Sequence, residues 1–307
     1  MKIVIIGTGA MGCLYGAKLS LVPENKIYLL ASRAEYVDAI NSNGILIESD
    51  GALASYKNII VSTETSLMND ADLVIVFVKS HTTKRAIFDN IEMLKTAKAV
   101  LTLQNGLGNA EIISEAIGEN NVLAGTTAYG ATAIEPGRVR HAGIGPTTIG
   151  EMQSGIGITD RVNLICEVLN AAGIETTVSG DVASVIWKKL LVNVGINALT
   201  GITKLLNGEL LDYPVLLEIM SLAVAEAVEV ANTKGIDIGE IDHFERAKEV
   251  CKATAHNKAS MLQDILNNRE TEIDMINGAI VREGKKLGIA TPTNLVLTNL
   301  IKFMQKQ

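Results

Sequence analysis

IVIIGTGAMG, residues 3–12, is the stretch that decides the fold. Four aliphatic residues run without a break into Gly7-x-Gly9-x-x-Gly12. A short unbroken apolar run ended by glycine is the pattern of a strand buried on both faces of a parallel sheet. Gly7 permits a tight turn, Gly9 lets the backbone approach a pyrophosphate, and Gly12 allows a helix to pack closely on the strand. With Thr8, Ala10 and Met11, these glycines form a candidate phosphate-binding turn at the positive end of a helix. A tight turn without a ligand has the same spacing, so the surroundings have to decide.

The surroundings repeat the pattern. IYLL (27–30), DLVIVFVK (72–79) and AVLTL (99–103) are further apolar runs, separated by amphipathic stretches at 9–21, 82–94 and 109–117. Strands alternating with helices predict a doubly wound parallel sheet. GILIESDGALASYKNIIVST (44–63) alternates about Asp50-Gly51 and is expected to be a hairpin. Residues 122–151, rich in glycine and threonine, read as an antiparallel continuation at the sheet edge. A helix at 160–171 and a strand at 174–178 close this half. Beyond about Gly180 the strand signals stop, and 184–201, 214–234, 242–266, 271–287 and 294–304 read as helices. The expected fold class is α/β: a Rossmann-type doubly wound domain over 1–180, then an all-helical C-terminal domain over 181–307.

Composition narrows the function. The 307 residues carry a net charge of −7 with no basic run, so no nucleic acid partner is expected. Cys13, Cys166 and Cys251 are odd in number and far apart, and His81, His141, His243 and His256 lack ligand spacing. Neither a disulfide framework nor a metal site is expected. The N-terminus imitates a signal peptide, but its three glycines argue against an export helix. No run approaches the roughly 20 apolar residues that span a bilayer. The expectation is a soluble, cytoplasmic chain without membrane contact, whose helical half has enough apolar surface for a homodimer.

Three strand ends bear on the cofactor. The second strand ends YLLASRAE, with Ser32 and Arg33 where NAD-binding turns carry an acid for the ribose hydroxyl. A hydroxyl and an arginine suit a 2′-phosphate, so NADP (NADPH) is expected over NAD, while Glu35 keeps the question open. Lys79 ends the strand at 72–79, and Asn105 follows the strand at 99–103. Each is a candidate at the carboxyl edge of the sheet; each could also be a solvated cap or a turn.

The other candidates lie in SVIWKKLLVNVGINALTG, 184–201. Lys189, Asn193 and Asn197 recur at steps of four, which advance only about 40° each on a helix, so they share one face. Thr200 falls near the same line. Such a polar stripe in an apolar surround is costly to bury unless something satisfies it. Spacing alone equally allows a lysine whose stem lies along apolar surface beside asparagines that cap backbone groups.

Taken together, GTGAMG, VKSHTT (78–83), LQNGLG (103–108), GTTAYGA (125–131), WKKLLVNVGINALTG (187–201), NGEL (207–210) and SMLQDILNNRETEIDMINGAI (260–280) resemble the ketopantoate reductase (2-dehydropantoate 2-reductase) family over essentially the whole chain. The resemblance implies reduction of a 2-oxo acid by NADPH in pantothenate and coenzyme A synthesis. It implies Lys189 as proton donor and Glu272 as a carboxylate near the substrate hydroxyl and cofactor. Asn193, Asn197, Asn207 and Ser260 would contact substrate. Lys79, Asn105 and Ala131 would contact the dinucleotide, Asn105 also facing substrate. By itself, Glu272 reads as a helix-start carboxylate. Two rivals remain: a reductase of another branched 2-oxo acid, and a non-catalytic NADP-binding sensor.

Overall fold

The computed structural model describes residues 1–306 and divides into two compact units. The first comprises Met1–Gln104 and Asn109–Val182; the second comprises Asn105–Gly108 and the chain from Ala183 onward.

The first unit opens with β1 (Lys2–Ile6), α1 (Ala10–Leu19), β2 (Lys26–Leu30), α2 (Ala34–Asn43), β3 (Ile45–Ser49), β4 (Ala52–Tyr56), β5 (Ile59–Ser62) and β6 (Leu73–Val76). It continues with α3 (Thr83–Asp89), α4 (Ile91–Thr96), β7 (Val100–Thr102), α5 (Asn109–Ile117), β8 (Val122–Thr127), β9 (Gly130–Glu135), β10 (Arg138–Gly143), β11 (Thr147–Glu151), α6 (Asp160–Ala171) and β12 (Thr176–Val178). Eight strands form one sheet in the order β12-β11-β8-β7-β6-β1-β2-β5. Every neighbouring pair is parallel except β8 with β11. Ile3, Val4, Ile5 and all of β6 are inaccessible to solvent, as strands covered on both faces must be. From β1 the chain steps out to β2 and β5, then returns to β6 on the other side. Ligands of such sheets bind beyond the strand ends at this reversal.

The antiparallel continuation differs from expectation. β9 and β10 leave the large sheet and join the β3–β4 hairpin in a second sheet, β4-β3-β10-β9. β8 and β11 pair directly, from Thr147 opposite Thr127 to Glu151 opposite Leu123, so the ribbon between them is free to pack elsewhere. It pairs through β10 with β3 and buries Val139 in the core around Ile45, Ile47 and Tyr15. The helix expected over 82–94 is also two helices. They part at Asn90, whose amide donates to the Ala86 carbonyl at 2.8 Å.

The second unit is helical: α7 (Val182–Thr203, of which Val182 falls in the first unit), α8 (Pro214–Thr233), α9 (His243–Ala253), α10 (Ser260–Leu266), α11 (Asn277–Leu287) and α12 (Pro292–Met304). At 22 residues, α7 is long and apolar enough to cross a membrane, which the sequence reading missed. It is instead the core of its unit. Side chains of Met220 and Val224 come within 3.1 Å of where a Cβ on Gly195 would lie, and Ile301 and Ile265 crowd Gly201 likewise. Trp187, Leu190, Leu191 and Val194 face the same core.

Two expected helices are broken. Residues 242–266 divide into α9 and α10 because the intervening loop serves other backbone: Asn207 N–H donates to the Asn257 carbonyl and Gly208 N–H to that of Ala255, both at 3.1 Å. Residues 271–287 begin with a 3-10 turn, Ile273–Met275, and α11 starts only after Ile276 at φ −109°, ψ −99°.

Candidate active site

In the first unit three strand ends converge on Gly7. Its N–H donates to the Leu30 carbonyl at 3.1 Å, while Phe77 N–H donates to Ile6 at 2.9 Å. Gly7 has φ +111°, and a Cβ there would lie 3.0 Å from the Phe77 carbonyl carbon and the Val78 nitrogen. No other residue type fits without strain. A Cβ on Gly12 would run into the Gly7 carbonyl, so α1 seats directly on the turn. Gly9 is the opposite case: a Cβ would meet nothing within 4 Å, and the residue is exposed. Thr8 is buried, and its carbonyl accepts from the Cys13 thiol at 3.3 Å. The first amides of α1, through Ala10 and Met11, thus border open space at a helix N-terminus. That space and dipole fit a dinucleotide pyrophosphate.

Beyond β6, Lys79 precedes a 3-10 turn, and its carbonyl accepts from the Thr82 N–H and hydroxyl, both at 2.8 Å. The sequence reading missed the side chains that fix this turn. Gln104 donates to the Val78 carbonyl at 2.6 Å and to the Thr83 hydroxyl at 2.8 Å. Thr83 donates to Asn109, which reaches Ser80 at 3.2 Å. Ala131 lies on β9, half-buried against the core. Ser32 and Arg33 are exposed after β2, with Arg33 as the N-cap of α2. The Arg33 guanidinium pairs with Glu35 at 2.9 Å, donates to the Tyr36 hydroxyl at 2.9 Å and lies over the Tyr36 ring. An exposed ion pair of this kind contributes little, so the arginine remains recruitable by a stronger anion.

The second unit holds the polar stripe. Lys189, Asn193 and Asn197 lie on α7, with Asn197 buried and the other two partly so. Lys189 Nζ donates to Asn105 Oδ1 at 2.8 Å. The residue keeps some exposure, but its ammonium is desolvated, and burial pushes the pKa down to about 8. The Glu272 carboxylate acts against that shift. Glu272 is itself buried and precedes the Ile273–Met275 turn rather than α11. Its neighbour Thr271 is tied by its N–H and hydroxyl to the Gln305 side chain, at 3.1 and 2.8 Å. The structure therefore brings Lys189, Asn105 and Glu272 together.

Asn105 arrives on a loop with its own anchor. Leu107 N–H donates to the Met275 carbonyl at 2.8 Å, and Gly106 and Gly108 take φ +85° and +106°. A Cβ on Gly106 would collide with that same carbonyl. Asn105 directly follows Gln104, the last residue of this stretch in the first unit, and its loop is grouped with the second unit.

Asn207 and Ser260 are organised by the loop 254–259. Asn207 Nδ2 donates to the Thr254 hydroxyl at 2.9 Å, and Ser260, which is exposed, opens α10 directly after the loop. Asn207 Oδ1 is buried and, among the described residues, has no hydrogen-bond partner. Such an acceptor costs about 1–3 kcal/mol unless a ligand satisfies it. Thr200 is fully buried and donates to the Asn197 carbonyl at 3.0 Å, bonding its own helix. Among the described residues, no three His, Cys, Asp or Glu side chains gather as a metal site.

Two family models match the chain. Ketopantoate reductase PanE/ApbA matches residues 3–154, and Ketopantoate reductase PanE/ApbA C terminal matches residues 181–305. A 2-dehydropantoate 2-reductase of Halobacterium salinarum is 37% identical, covering 100% of this chain and 99% of its own. The crystal structure of a PanE/ApbA family ketopantoate reductase from Ralstonia eutropha superposes with a TM-score of 0.90 at 31% identity, covering 100% and 99% of the two chains. A D-mandelate dehydrogenase solved with NADH and anilino(oxo)acetate reaches the same TM-score at 29% identity, with the same coverage.

Proposed function

The chain belongs to the ketopantoate reductase family, and on that premise we propose that it reduces 2-dehydropantoate to pantoate with NADPH. The step serves pantothenate and coenzyme A synthesis. In this reading residues 1–180 bind the dinucleotide and 181–307 hold the oxo acid and act on it. The observation that carries it is the desolvated Lys189, whose ammonium is held at 2.8 Å by Asn105 on a helix shared with Asn193 and Asn197.

The bound nicotinamide supplies hydride to C2. Lys189 faces the C2 oxygen, stabilises the negative charge that develops there and releases a proton from Nζ to it. With a pKa of about 8, the lysine is mostly protonated at neutral pH, yet a stronger acid than an exposed one. Asn105 fixes the direction of Nζ, and Glu272 offsets the cost of burying a cation. Asn193 and Asn197 hold the oxo acid; Asn207 and Ser260 add contacts that orient C2. Gly7 to Gly12 receive the pyrophosphate, Ser32 and Arg33 the 2′-phosphate, and Lys79 and Ala131 line the rest of the dinucleotide. Following nicotinamide absorbance with NADPH and ketopantoate, against a panel of 2-oxo acids, tests the reading. Cofactor binding without oxidation by any acid would leave a sensor.

A second reading is an NADH-linked reductase of another branched 2-oxo acid. It draws on the likeness to a D-mandelate dehydrogenase solved with NADH, and on the Glu35 carboxylate that already occupies Arg33. The same panel run with NADH separates the two.

A further inference from the structure

One six-residue stretch, 272–277, bears on Lys189 in three ways. Glu272 contributes the charge that faces the ammonium. The Met275 carbonyl holds the loop that presents Asn105. Asn277, wholly buried, donates from Nδ2 to the Val194 carbonyl at 3.1 Å and to Asn294 Oδ1 at 2.9 Å. Val194 lies on α7, between Asn193 and Asn197 along the chain. Asn294, also wholly buried, donates to the Ala223 carbonyl at 3.0 Å and to Glu226 at 2.7 Å. Glu226 in turn accepts the N–H groups of Thr293 and Asn294 at 2.7 and 3.0 Å, capping α12. The bonds form a chain through α11, α12, α8 and α7.

Buried amides in an apolar core are costly unless they are hydrogen-bonded, and a bonded network of them rigidifies the elements it joins. The Val194 carbonyl sits mid-helix, where an amide one turn on already satisfies it. The Asn277 bond is therefore an additional one, made to the second lone pair, and its effect is to fix α7 in rotation and height. The amide cannot turn over, because its oxygen would then face two acceptors. Asn277 Oδ1 is left buried and, among the described residues, unpartnered, which shows that the two donors set the orientation.

We propose that Asn277 is a positioning residue for the reduction. It locks α7 through the Val194 carbonyl, while Met275 of the same stretch locks the 105–108 loop, so Lys189 and Asn105 stay in register. The proposal rests on the reductase reading, but its test does not depend on it alone. Asn277→Ala is compared with Val230→Ala, which truncates a buried side chain on α8 outside the bond chain. The readouts are kcat and KM for ketopantoate, Tm, and titration of Lys189 by NMR of isotope-labelled lysine side chains without ligand. Asn277→Ala is expected to lower kcat about tenfold to a hundredfold with a smaller change in KM. Its Lys189 should titrate nearer the ordinary lysine value as the ammonium gains water. Val230→Ala should lower Tm without either change. No shift of the Lys189 titration in Asn277→Ala, or the same shift in both variants, overturns the proposal. If Asn277→Ala does not fold, Glu226→Gln must move both readouts the same way, and an unchanged titration there overturns it. Wild-type protein inert toward ketopantoate would count against the reductase reading and leave the ligand-free titration still decisive.

Discussion

The Lys189 ammonium donates to the Asn105 side-chain oxygen at 2.8 Å, so a helix residue and a loop residue share one proton-bearing group. The Glu272 carboxylate stabilises the charge of that ammonium. Replacing Lys189 by alanine removes the proposed proton donor without touching the Gly7–Gly12 turn. Turnover should fall about 10²–10⁴-fold, the usual worth of a positioned acid. NADPH binding, followed by nicotinamide fluorescence, should survive. Near-normal turnover would sink the assignment.

The pH profile has a definite sign. In the proposed mechanism reduction needs Lys189 protonated, so kcat/KM should be level at low pH and fall as pH rises through about 8. Burial lowers this pKa and Glu272 raises it, so Glu272→Gln should move the falling limb to lower pH. A limb that stays put or moves up would remove Glu272 from the electrostatics of the site.

Gly106 tests the loop. Alanine there must adopt φ +85° and press on the Met275 carbonyl. The substitution should cost about 1–3 kcal/mol of stability and displace Asn105. Thermal unfolding and kcat should fall together.

Gly9 and Gly12 should separate binding from folding. Gly9→Ala adds a methyl group to open space, so it should cost no more than about 1 kcal/mol while weakening NADPH binding. Gly12→Ala pushes α1 off the turn and should lose both stability and binding. Calorimetric unfolding beside a cofactor titration reads the two effects. Unchanged cofactor affinity in Gly9→Ala would move the pyrophosphate elsewhere.

Arg33→Ala should raise KM for NADPH about tenfold or more, the worth of a charged hydrogen bond, and leave KM for NADH nearly unchanged. Glu35→Gln, which frees the guanidinium, should favour NADPH further. Equal loss with both cofactors would assign Arg33 a structural role at the start of α2.

Much of this was legible because certain residues declare themselves. The turn at 3–12 could be read because burial on both faces demands an unbroken apolar run, and its sterics demand glycine. Lys189, Asn193 and Asn197 stood out because polar residues at steps of four are visible against aliphatic neighbours. The partnership of Asn105 with Lys189 was not visible in spacing, since an Asn-Gly loop has the same composition wherever it docks. The break at 254–259 was hidden for a related reason. It is set by the backbone of Asn207 and Gly208, distant in sequence, rather than by local helix preference. Likewise β9 and β10 looked like edge strands, because nothing local specifies which sheet a ribbon joins.

The 105–108 loop is encoded 84 residues before the lysine it meets. Closing so long a span of chain carries an entropic cost that only later contacts repay. During synthesis the ribosome must release α7 and then the Met275 turn before the loop has anywhere to dock. Lys189 would therefore meet its Asn105 partner among the last events of folding, so a partly made chain carries the lysine with its ammonium unanchored by that loop.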